Sequence, residues 1–252
     1  MRNIIGAEMD GDGIETAVLG FPRIGPDREL KTALESFWRG DATAAELEGV
    51  ATALRRDQRD AAVAAGVDVL PSNDFSLYDH VLDAALLVDA VPERFAEDFE
   101  PGSLELMFAM ARGGGEVAPL EMTKWFDTNY HYLVPEIGPR TGFAPRPAKP
   151  LAELADAPGS RPVLLGPVSF LSLAKGAAPG VRPLERLEPL LDAYQGVLEG
   201  LARAGATEVQ IDEPCLAGDV DVDLLALIER SWDRLAGARS DLELALVTYF
   251  GG

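Results

Sequence analysis

Two cations at the start of a predicted helix are the residues in this sequence whose placement most suggests chemistry. The stretch "GFPRIGPDRELKTALESFWRG" covers residues 20–40, and Arg28 and Lys31 fall where its helix begins. A helix start carries about half a positive charge and free backbone N–H groups, so acidic residues usually occupy its first turn. Cations here predict a binding site for an anion. The alternative is an exposed helix whose cations pair with Asp27 or Glu35, a contact worth about 0 to 1 kcal/mol.

A second candidate group lies in "QIDEPCL". Asp212 and Glu213 follow an apolar run, at the end of a predicted strand where paired carboxylates perform acid–base chemistry or bind metals. We favour the interpretation that they accept backbone hydrogen bonds and hold loops. Cys215 is the only cysteine, and the two histidines, His80 and His131, lie far apart in sequence, whereas a zinc site uses four ligands. The sequence therefore predicts a buried, unreactive cysteine, and we assign neither a metal ligand nor a catalytic residue in this chain.

Two further polar pairs are ambiguous. Asn129 and His131, in "FDTNYHY", lie on one side of a predicted strand, and ligand contact and loop bracing account for them equally well. Asn73 and Asp74, in "PSNDFS", are predicted to cap the following helix rather than to contact a ligand.

The elements that position these residues alternate between strand and helix patterns. The predicted strands are residues 15–21, 67–75, 130–134, 162–166, 208–212 and 244–250. Helical patterns between most of them predict a parallel sheet covered by helices, and polar residues at the carboxyl ends of strands are typical of a (β/α)8 TIM-type barrel. Because such a barrel closes with eight strands, this pattern predicts an α/β barrel that is truncated after about six strands.

The composition narrows the class of protein. The 252 residues, 47% of them hydrophobic, suffice for one large core, so a single domain over residues 1–252 is expected. A net charge of −20 argues against a nucleic-acid partner, which requires clustered cations. No apolar run approaches the roughly 20 residues of a membrane helix, and the amino terminus lacks the apolar core of a signal peptide, so we expect a cytoplasmic protein without a membrane partner. Lysine is scarce, which makes its positions informative: Lys31, Lys124, Lys149 and Lys175.

Five motifs together resemble the amino-terminal half of the cobalamin-independent methionine synthase family. In chain order they are "GFPRIGPDRELKTALESFWRG", "SNDFSLYDHVLD", "MTKWFDTNYHYLVPE", "LLGPVSFLSLAK" and "VQIDEPCL". The resemblance extends from about Glu15 to Gly252 and implies a full-length enzyme of two face-to-face barrels. Residues 1–252 would then form an amino-terminal barrel domain that is incomplete at its C-terminal end.

The resemblance also implies which part of the enzyme does what. In the family, the carboxy-terminal barrel carries a zinc ion that activates homocysteine, which takes the methyl group of 5-methyltetrahydrofolate polyglutamate to give methionine. The zinc ligands and the homocysteine contacts belong to that second barrel. The amino-terminal barrel holds the polyglutamate tail through an "RELK" stretch, here Arg28, Glu29, Leu30 and Lys31, and through the lysine of "MTKWF", here Lys124. From the resemblance we therefore expect a methyltransferase. This chain alone would be catalytically incomplete.

Two alternatives use the same residues differently. A non-catalytic folate-polyglutamate binding module, or a subunit that docks on a separate zinc barrel, would need only the cations. An independent barrel enzyme would use Asp212 and Glu213, although no substrate suggests itself.

Overall fold

Helices and strands alternate in the structure, a computed structural model that describes residues 15–126, 128–238 and 241–249. The helices are α1 (Glu29–Arg39), α2 (Ala44–Ala64), α3 (His80–Leu87), α4 (Glu93–Ala96), α5 (Leu104–Arg112), α6 (Ala148–Asp156), α7 (Pro167–Ser172), α8 (Leu187–Arg203) and α9 (Val222–Ala238). The strands are β1 (Pro71–Ser72), β2 (Met122–Lys124), β3 (His131–Leu133), β4 (Glu136–Ile137), β5 (Arg161–Leu165), β6 (Lys175–Gly176), β7 (Glu208–Asp212) and β8 (Glu243–Val247). Within the described ranges, no helix has the length and apolar content to cross a membrane.

A four-stranded parallel sheet in the order β1–β5–β7–β8 forms the centre of the fold. In its register, Val163 of β5 lies opposite Gln210 of β7. A single parallel bridge between Ala17 and Val69, outside the named strands, links the segment before α1 to the residues just before β1. All residues of β5 and most of β7 are buried, as expected for short apolar strands that are covered by helices on both faces.

Two hydrophobic clusters hold the helices in place. The larger cluster packs α3, α7, α8 and α9 against β5 and β7, and includes the fully buried Phe170 and Tyr194. The second cluster lies beneath α1, α2 and α5, where Leu30 and Leu47 are buried against Phe108. The first cluster anchors the sheet, and the second fixes α1 beside it.

The predicted parallel α/β arrangement is confirmed. The strands β1, β5, β7 and β8 lie in or overlap the predicted strands at residues 67–75, 162–166, 208–212 and 244–250, and they pair in parallel in chain order. The described residues do not form a closed barrel, because their central sheet is open with β1 and β8 at its two ends.

The prediction that residues 130–134 form the third strand of this sheet is wrong. Residues 131–133 pair instead with β2 in an antiparallel hairpin, in which Lys124 lies opposite His131. Aromatic and β-branched residues favour an extended backbone without specifying a partner strand, and the nearest partner in sequence forms the pair. The first predicted strand, residues 15–21, is reduced to the bridge at Ala17, and the end of the last, Phe250, lies outside the described residues, as do residues 1–14.

Candidate functional site

The first cations lie at a tight turn that starts α1. Arg28 is the N-cap residue, with a left-handed backbone (φ 63°) and no side-chain cap. Its backbone N–H donates to Gly25 O at 3.2 Å. Gly25 has φ 84°, and a Cβ there would lie 2.1 Å from Glu29 Oε2, so the turn requires glycine. The turn leaves the Arg28 side chain exposed above the helix start.

The four residues of the "RELK" stretch have different environments. Arg28 and Lys31 are exposed, and Lys31 Nζ lies 3.5 Å from Glu35 Oε1 in a surface pair. Glu29 is partly buried and accepts a hydrogen bond from the backbone N–H of Asp27 at 3.1 Å. Leu30 is fully buried in the core. Arg28 and Lys31 therefore present their charges to solvent, Glu29 does so in part while it holds the turn, and Leu30 anchors the helix in the core.

Lys124 ends β2 in the hairpin and has an exposed side chain. Within the part of the chain that the structure describes, no carboxylate lies within salt-bridge distance of its ammonium group. Most arginines and lysines in the same ranges do have such a partner, as Lys175 has in Glu121 at 2.8 Å. Lys124 is therefore an available cation on a strongly acidic chain.

The segment that leads into α1 lies at the carboxyl ends of the sheet strands. The backbone N–H of Phe21 donates to Asp74 Oδ2 at 2.8 Å, and Gln210 Nε2 donates to Leu19 O at 3.2 Å. Arg23, in the same segment, donates to Leu77 O at 3.1 Å. Burial raises the pKa of Tyr130, which precedes β3, and the charge of nearby Arg23 opposes that shift. The structure thus brings the start of α1 and the hairpin together through Arg23, not through a direct contact between the predicted cations. Sequence reasoning missed Arg23, although it lies five residues before Arg28 in the same quoted stretch.

An aromatic cavity of about 320 Å³ opens beside this contact. Its walls are His80, Val81, Trp125, Thr128, Tyr130 and Tyr249. His80 lines the cavity but is itself exposed to solvent. The aromatic side chains of Trp125, Tyr130 and Tyr249 make the cavity largely apolar.

Asp212 and Glu213 are both buried at the carboxyl end of β7. Asp212 accepts hydrogen bonds from Gln210 Nε2 at 2.7 Å and from the hydroxyl of Tyr249. Glu213 accepts from the backbone N–H groups of Val168 at 3.2 Å and Ser169 at 2.7 Å, at the start of α7. Glu213 thus accepts backbone hydrogen bonds as predicted, although from the first turn of α7 and not from a loop. The same prediction is wrong for Asp212, whose partners are side chains.

Cys215 is buried, as predicted, and its Sγ lies 3.8 Å from Glu213 Oε2. Burial and the neighbouring carboxylate raise the pKa of this thiol to about 11, so it is not a thiolate ligand at pH 7. Among the residues with described positions, no three histidine, cysteine, aspartate or glutamate side chains are grouped so as to hold a metal ion. The described donor groups thus offer no cluster for a zinc ion, whose ligands the family resemblance assigns to the second barrel.

The predicted capping role of Asn73 and Asp74 is wrong. The N-cap of α3 is Asp79, five residues further along the chain. Asn73 Nδ2 instead donates to Val163 O at 2.8 Å, and Asp74 accepts from Phe21, so both side chains join distant segments. Local sequence indicates that such residues bond to backbone groups, but it does not indicate which ones.

The two ambiguous hairpin residues are both exposed. The His131 ring Nδ1 lies 3.0 Å from Asn129 O, within the hairpin turn itself. Tyr130, between them, lines the cavity, and Tyr132 is buried. Of these four side chains, Tyr132 is the one that joins the core, whereas Tyr130 is still 38% exposed.

The buried acids make stability fall as the pH rises. Burial raises the pKa of Asp79 and that of Glu213 to about 7, and that of Asp212 to about 6. Between about pH 4.5 and 7 the folded state binds more protons than the unfolded state, so the free energy of unfolding decreases with rising pH. Hydrogen bonds from Thr43 and Thr16 lower the pKa values of Glu46 and Asp68, which acts in the opposite direction but through carboxylates at the surface. We expect urea denaturation to give a higher free energy of unfolding at pH 5.5 than at pH 7.5.

A pair of variants checks the origin of this pH dependence. Asp212→Asn removes one buried acid and is expected to reduce the difference between the two pH values. Asp219→Asn removes an exposed acid and is expected to leave the difference unchanged. A parent chain that is equally stable, or more stable, at pH 7.5 contradicts the prediction.

Comparison with known proteins agrees with the sequence motifs. The family described as "Cobalamin-independent synthase, N-terminal domain" matches residues 15–252. The 5-methyltetrahydropteroyltriglutamate–homocysteine methyltransferase of Mycolicibacterium paratuberculosis is 48% identical over 96% of this chain and 32% of its own length. The enzymes of the same name from Mycobacterium bovis and Streptomyces griseus are each 49% identical over 93% of this chain and 31% of their own lengths. The chain thus spans about a third of the length of these curated relatives.

A solved structure supports the fold. The putative vitamin-B12 independent methionine synthase from Listeria monocytogenes superposes with a TM-score of 0.62 over 95% of this chain and 68% of that one. Its sequence identity is 14%, so this likeness concerns the fold alone. The family match and the identities to the curated relatives carry the assignment: the chain belongs to the N-terminal domain family of the cobalamin-independent methionine synthases.

Proposed function

We propose that this chain binds the glutamate tail of a folate substrate as part of a methyltransferase that converts homocysteine to methionine. The observation that carries the proposal is a pair of exposed cations, Arg28 and Lys124, that lack a carboxylate partner within the described residues. In a chain with 42 acidic and 22 basic residues, an exposed cation without a nearby carboxylate keeps a charge that is available to an anionic ligand.

The chemistry of the tail fits these groups. Each glutamate of the tail carries a carboxylate, which accepts charge-assisted hydrogen bonds from guanidinium and ammonium groups. The free N–H groups at the start of α1 add to the positive potential beside Arg28 and Lys31. Glu29 and Leu30 contribute by holding the turn and the helix that position the two cations.

The activity of the whole enzyme is part of the same proposal. The curated relatives are named for methyl transfer from 5-methyltetrahydropteroyltriglutamate to homocysteine, and they are about three times as long as this chain. The folate is the methyl donor, and homocysteine and any zinc ion would be bound by the part of such an enzyme that this chain does not match. We propose that the protein performs this function in the cytoplasm.

The fold that we propose for the whole domain is more specific than the open parallel sheet of the described residues. We propose that β1, β5, β7 and β8 are an arc of a (β/α)8 TIM-type barrel and that residues 1–252 belong to one amino-terminal barrel domain. Parallel pairing in chain order supports this, as does the position of Gln210, Asp212 and Glu213 at the carboxyl end of a strand.

A titration of folates with different tails tests tail binding. We expect the chain to bind 5-methyltetrahydrofolate with three glutamates more tightly than the same folate with one, and we expect added salt to reduce the difference. The double variant Lys31→Met/Lys124→Met should lose most of the preference, because it removes two of the attracting charges. The matched control is Lys175→Met, because Lys175 already has two carboxylate partners. This variant should keep the preference for the triglutamate. Equal affinities of the parent chain for both folates would overturn the proposal.

The left-handed backbone of Arg28 allows stability and binding to be separated. A non-glycine residue at φ 63° costs about 1 to 2 kcal/mol, whereas glycine is free of that strain but loses about 0.5 to 1 kcal/mol of chain entropy. We expect Arg28→Gly to change the free energy of unfolding by less than about 1 kcal/mol while weakening triglutamate binding about tenfold or more. Arg28→Ala should weaken binding equally but fold less stably than Arg28→Gly. Unchanged triglutamate affinity in both variants would remove Arg28 from the site.

A further inference from the structure

The cavity of about 320 Å³ beside the hairpin has an aromatic wall that comes from distant parts of the chain. Trp125 and Tyr130 belong to the hairpin, His80 is the first residue of α3, and Tyr249 follows β8. Small-molecule pockets have volumes of about 300 to 1,000 Å³, so the cavity has the size of a binding site. Tyr130 in its wall is 38% exposed, which leaves the cavity accessible from solvent.

Hydrogen bonds within the protein hold this wall in place. The hydroxyl of Thr128 donates to Trp125 O at 2.6 Å and accepts from the backbone N–H of Tyr130 at 3.1 Å, which fixes the turn of the hairpin. The hydroxyl of Tyr249 donates to the buried Asp212, at the carboxyl end of β7. The aromatic rings are therefore preorganised, and binding a ligand would require little further ordering of the wall.

Two aromatic residues at the cavity have a strained backbone. Tyr249 has φ 47° and Phe126, next to Trp125, has φ 46°, which are left-handed values that bulky residues rarely adopt. Such strain is found at ligand sites, where the surrounding structure enforces it. Here it occurs at the two turns that bring Tyr249 and Trp125 to the wall.

The cavity is on the other face of the hairpin from Lys124. Lys124 lies opposite His131, and the next pair is Trp125 with Tyr130, joined by a hydrogen bond of 2.8 Å from Trp125 N to Tyr130 O. Because successive side chains of a strand point to opposite faces, Trp125 and Tyr130 share a face from which the Lys124 side chain is turned away. A glutamate tail held by Lys124 would therefore not occupy the cavity.

The wall favours an uncharged planar ring. The residues that line the cavity include no carboxylate, lysine or arginine, so an ion that entered would lose its hydration without gaining a counter-charge. Indole and phenol rings attract another aromatic ring, offset or edge to face, beyond the effect of apolar burial alone.

We propose that this cavity is a binding site for a small, uncharged, planar aromatic molecule that is distinct from the folate. Trp125, Tyr130 and Tyr249 supply the aromatic contacts. The inference does not rest on the proposed function, so a failure of tail binding would leave it standing.

Benzamide and cyclohexanecarboxamide test the proposal, because they share an amide group and differ in whether the ring is aromatic and planar. We expect benzamide to bind the chain with a Kd of about 1 mM, as small fragments do, and the saturated compound to bind at least about fivefold more weakly. In heteronuclear NMR of the labelled chain, benzamide should shift the indole N–H signal of Trp125 and leave that of Trp232, in α9, unchanged. Equal affinities, no binding of benzamide, or shifts confined to indole groups other than that of Trp125 would overturn the proposal.

A pair of variants at Tyr130 locates the site. Tyr130→Ala removes a partly exposed ring, so the fold should persist, and benzamide binding should weaken about tenfold or more. Tyr130→Phe keeps the ring and should bind benzamide within about twofold of the parent chain. A folded Tyr130→Ala chain that binds benzamide as the parent does would exclude the cavity as the site.

Competition identifies the source of the ring. Because 5-methyltetrahydrofolate with one glutamate carries aromatic rings of its own, it is added to the complex of the parent chain with benzamide. We expect the Kd of benzamide and the shift of the Trp125 signal to stay the same, as for a separate ligand. Displacement of benzamide by the folate would assign the cavity to the folate and overturn the proposal.

Discussion

Replacing Lys149 with methionine is expected to lower the free energy of unfolding by about 3 kcal/mol at pH 7. Lys149 Nζ donates to Asn73 Oδ1 at 2.7 Å and Phe75 O at 2.8 Å, and lies 3.0 Å from Glu153 Oε1 and 3.6 Å from Asp83 Oδ2. The carboxylate side chains are only 7% and 10% exposed, so the variant leaves two buried charges without their cation. Breaking a buried pair costs about 3 to 5 kcal/mol, and the 32% exposure of Lys149 places this one at the lower end.

The pH dependence of this loss identifies its cause. Burial raises the pKa of Asp83, and the cation of Lys149 opposes that shift. Without Lys149 the pKa of Asp83 rises further, so acidification neutralises the stranded carboxyl group and the loss should be smaller at pH 5 than at pH 7. Lys175→Met, which breaks more exposed pairs, should cost at most about 1 kcal/mol and serves as the control. Urea denaturation at both pH values measures these differences, and a loss below about 1 kcal/mol for Lys149→Met would contradict the buried-pair account.

Replacing Asp79 with alanine is expected to cost about 3 to 5 kcal/mol. Its Oδ1 accepts from the backbone N–H groups of Val81 at 2.8 Å and Leu82 at 3.0 Å, and its Oδ2 accepts from Leu133 at 3.2 Å. The side chain thus caps α3 and ties that helix to β3 while it is almost completely buried. Alanine leaves three N–H groups without a partner in the protein interior, and each unsatisfied group costs about 1 to 3 kcal/mol.

An exposed cap provides the control for Asp79. Thr43 caps α2 through Glu46 in a capping box at the surface, where water replaces the lost hydrogen bond. Thr43→Ala is expected to cost about 1 kcal/mol, well below the loss in Asp79→Ala. Equal losses in the two variants, measured by urea denaturation at pH 7, would show that the burial of Asp79 adds nothing to its role as a cap.

The four lysines illustrate how these predictions separate stability from binding. Lys149 is bound within the fold and Lys175 pairs with carboxylates, whereas Lys124 has no such partner within the described residues and Lys31 has only a surface pair. We expect Lys149→Met to reduce stability with little effect on the tail-length preference of the molecules that remain folded. The double variant at Lys31 and Lys124 should show the reverse.

Much of the architecture follows from local pattern. Alternating apolar strands and amphipathic helices predict a parallel sheet because helices must connect strands that run the same way, and the pairing of β5, β7 and β8 agrees. The motifs that identify the family are likewise contiguous stretches. The cations of "RELK" can be recognised from sequence, since a positive side chain at a positive helix start is itself unusual.

What the sequence by itself determined were the family, most strands of the parallel sheet and the position of two cations at the start of α1, because each is carried by neighbouring residues. Tertiary structure alone decided the partners: Lys149 meets Asn73 from 76 positions away, and Arg23 meets Leu77 from 54. It also decided that residues 131–133 pair in a hairpin, since strand propensity specifies an extended backbone and not a partner. Ion pairing and burial depend on which distant surfaces come together, so only the folded chain distinguishes a structural lysine from one that is free to bind a ligand.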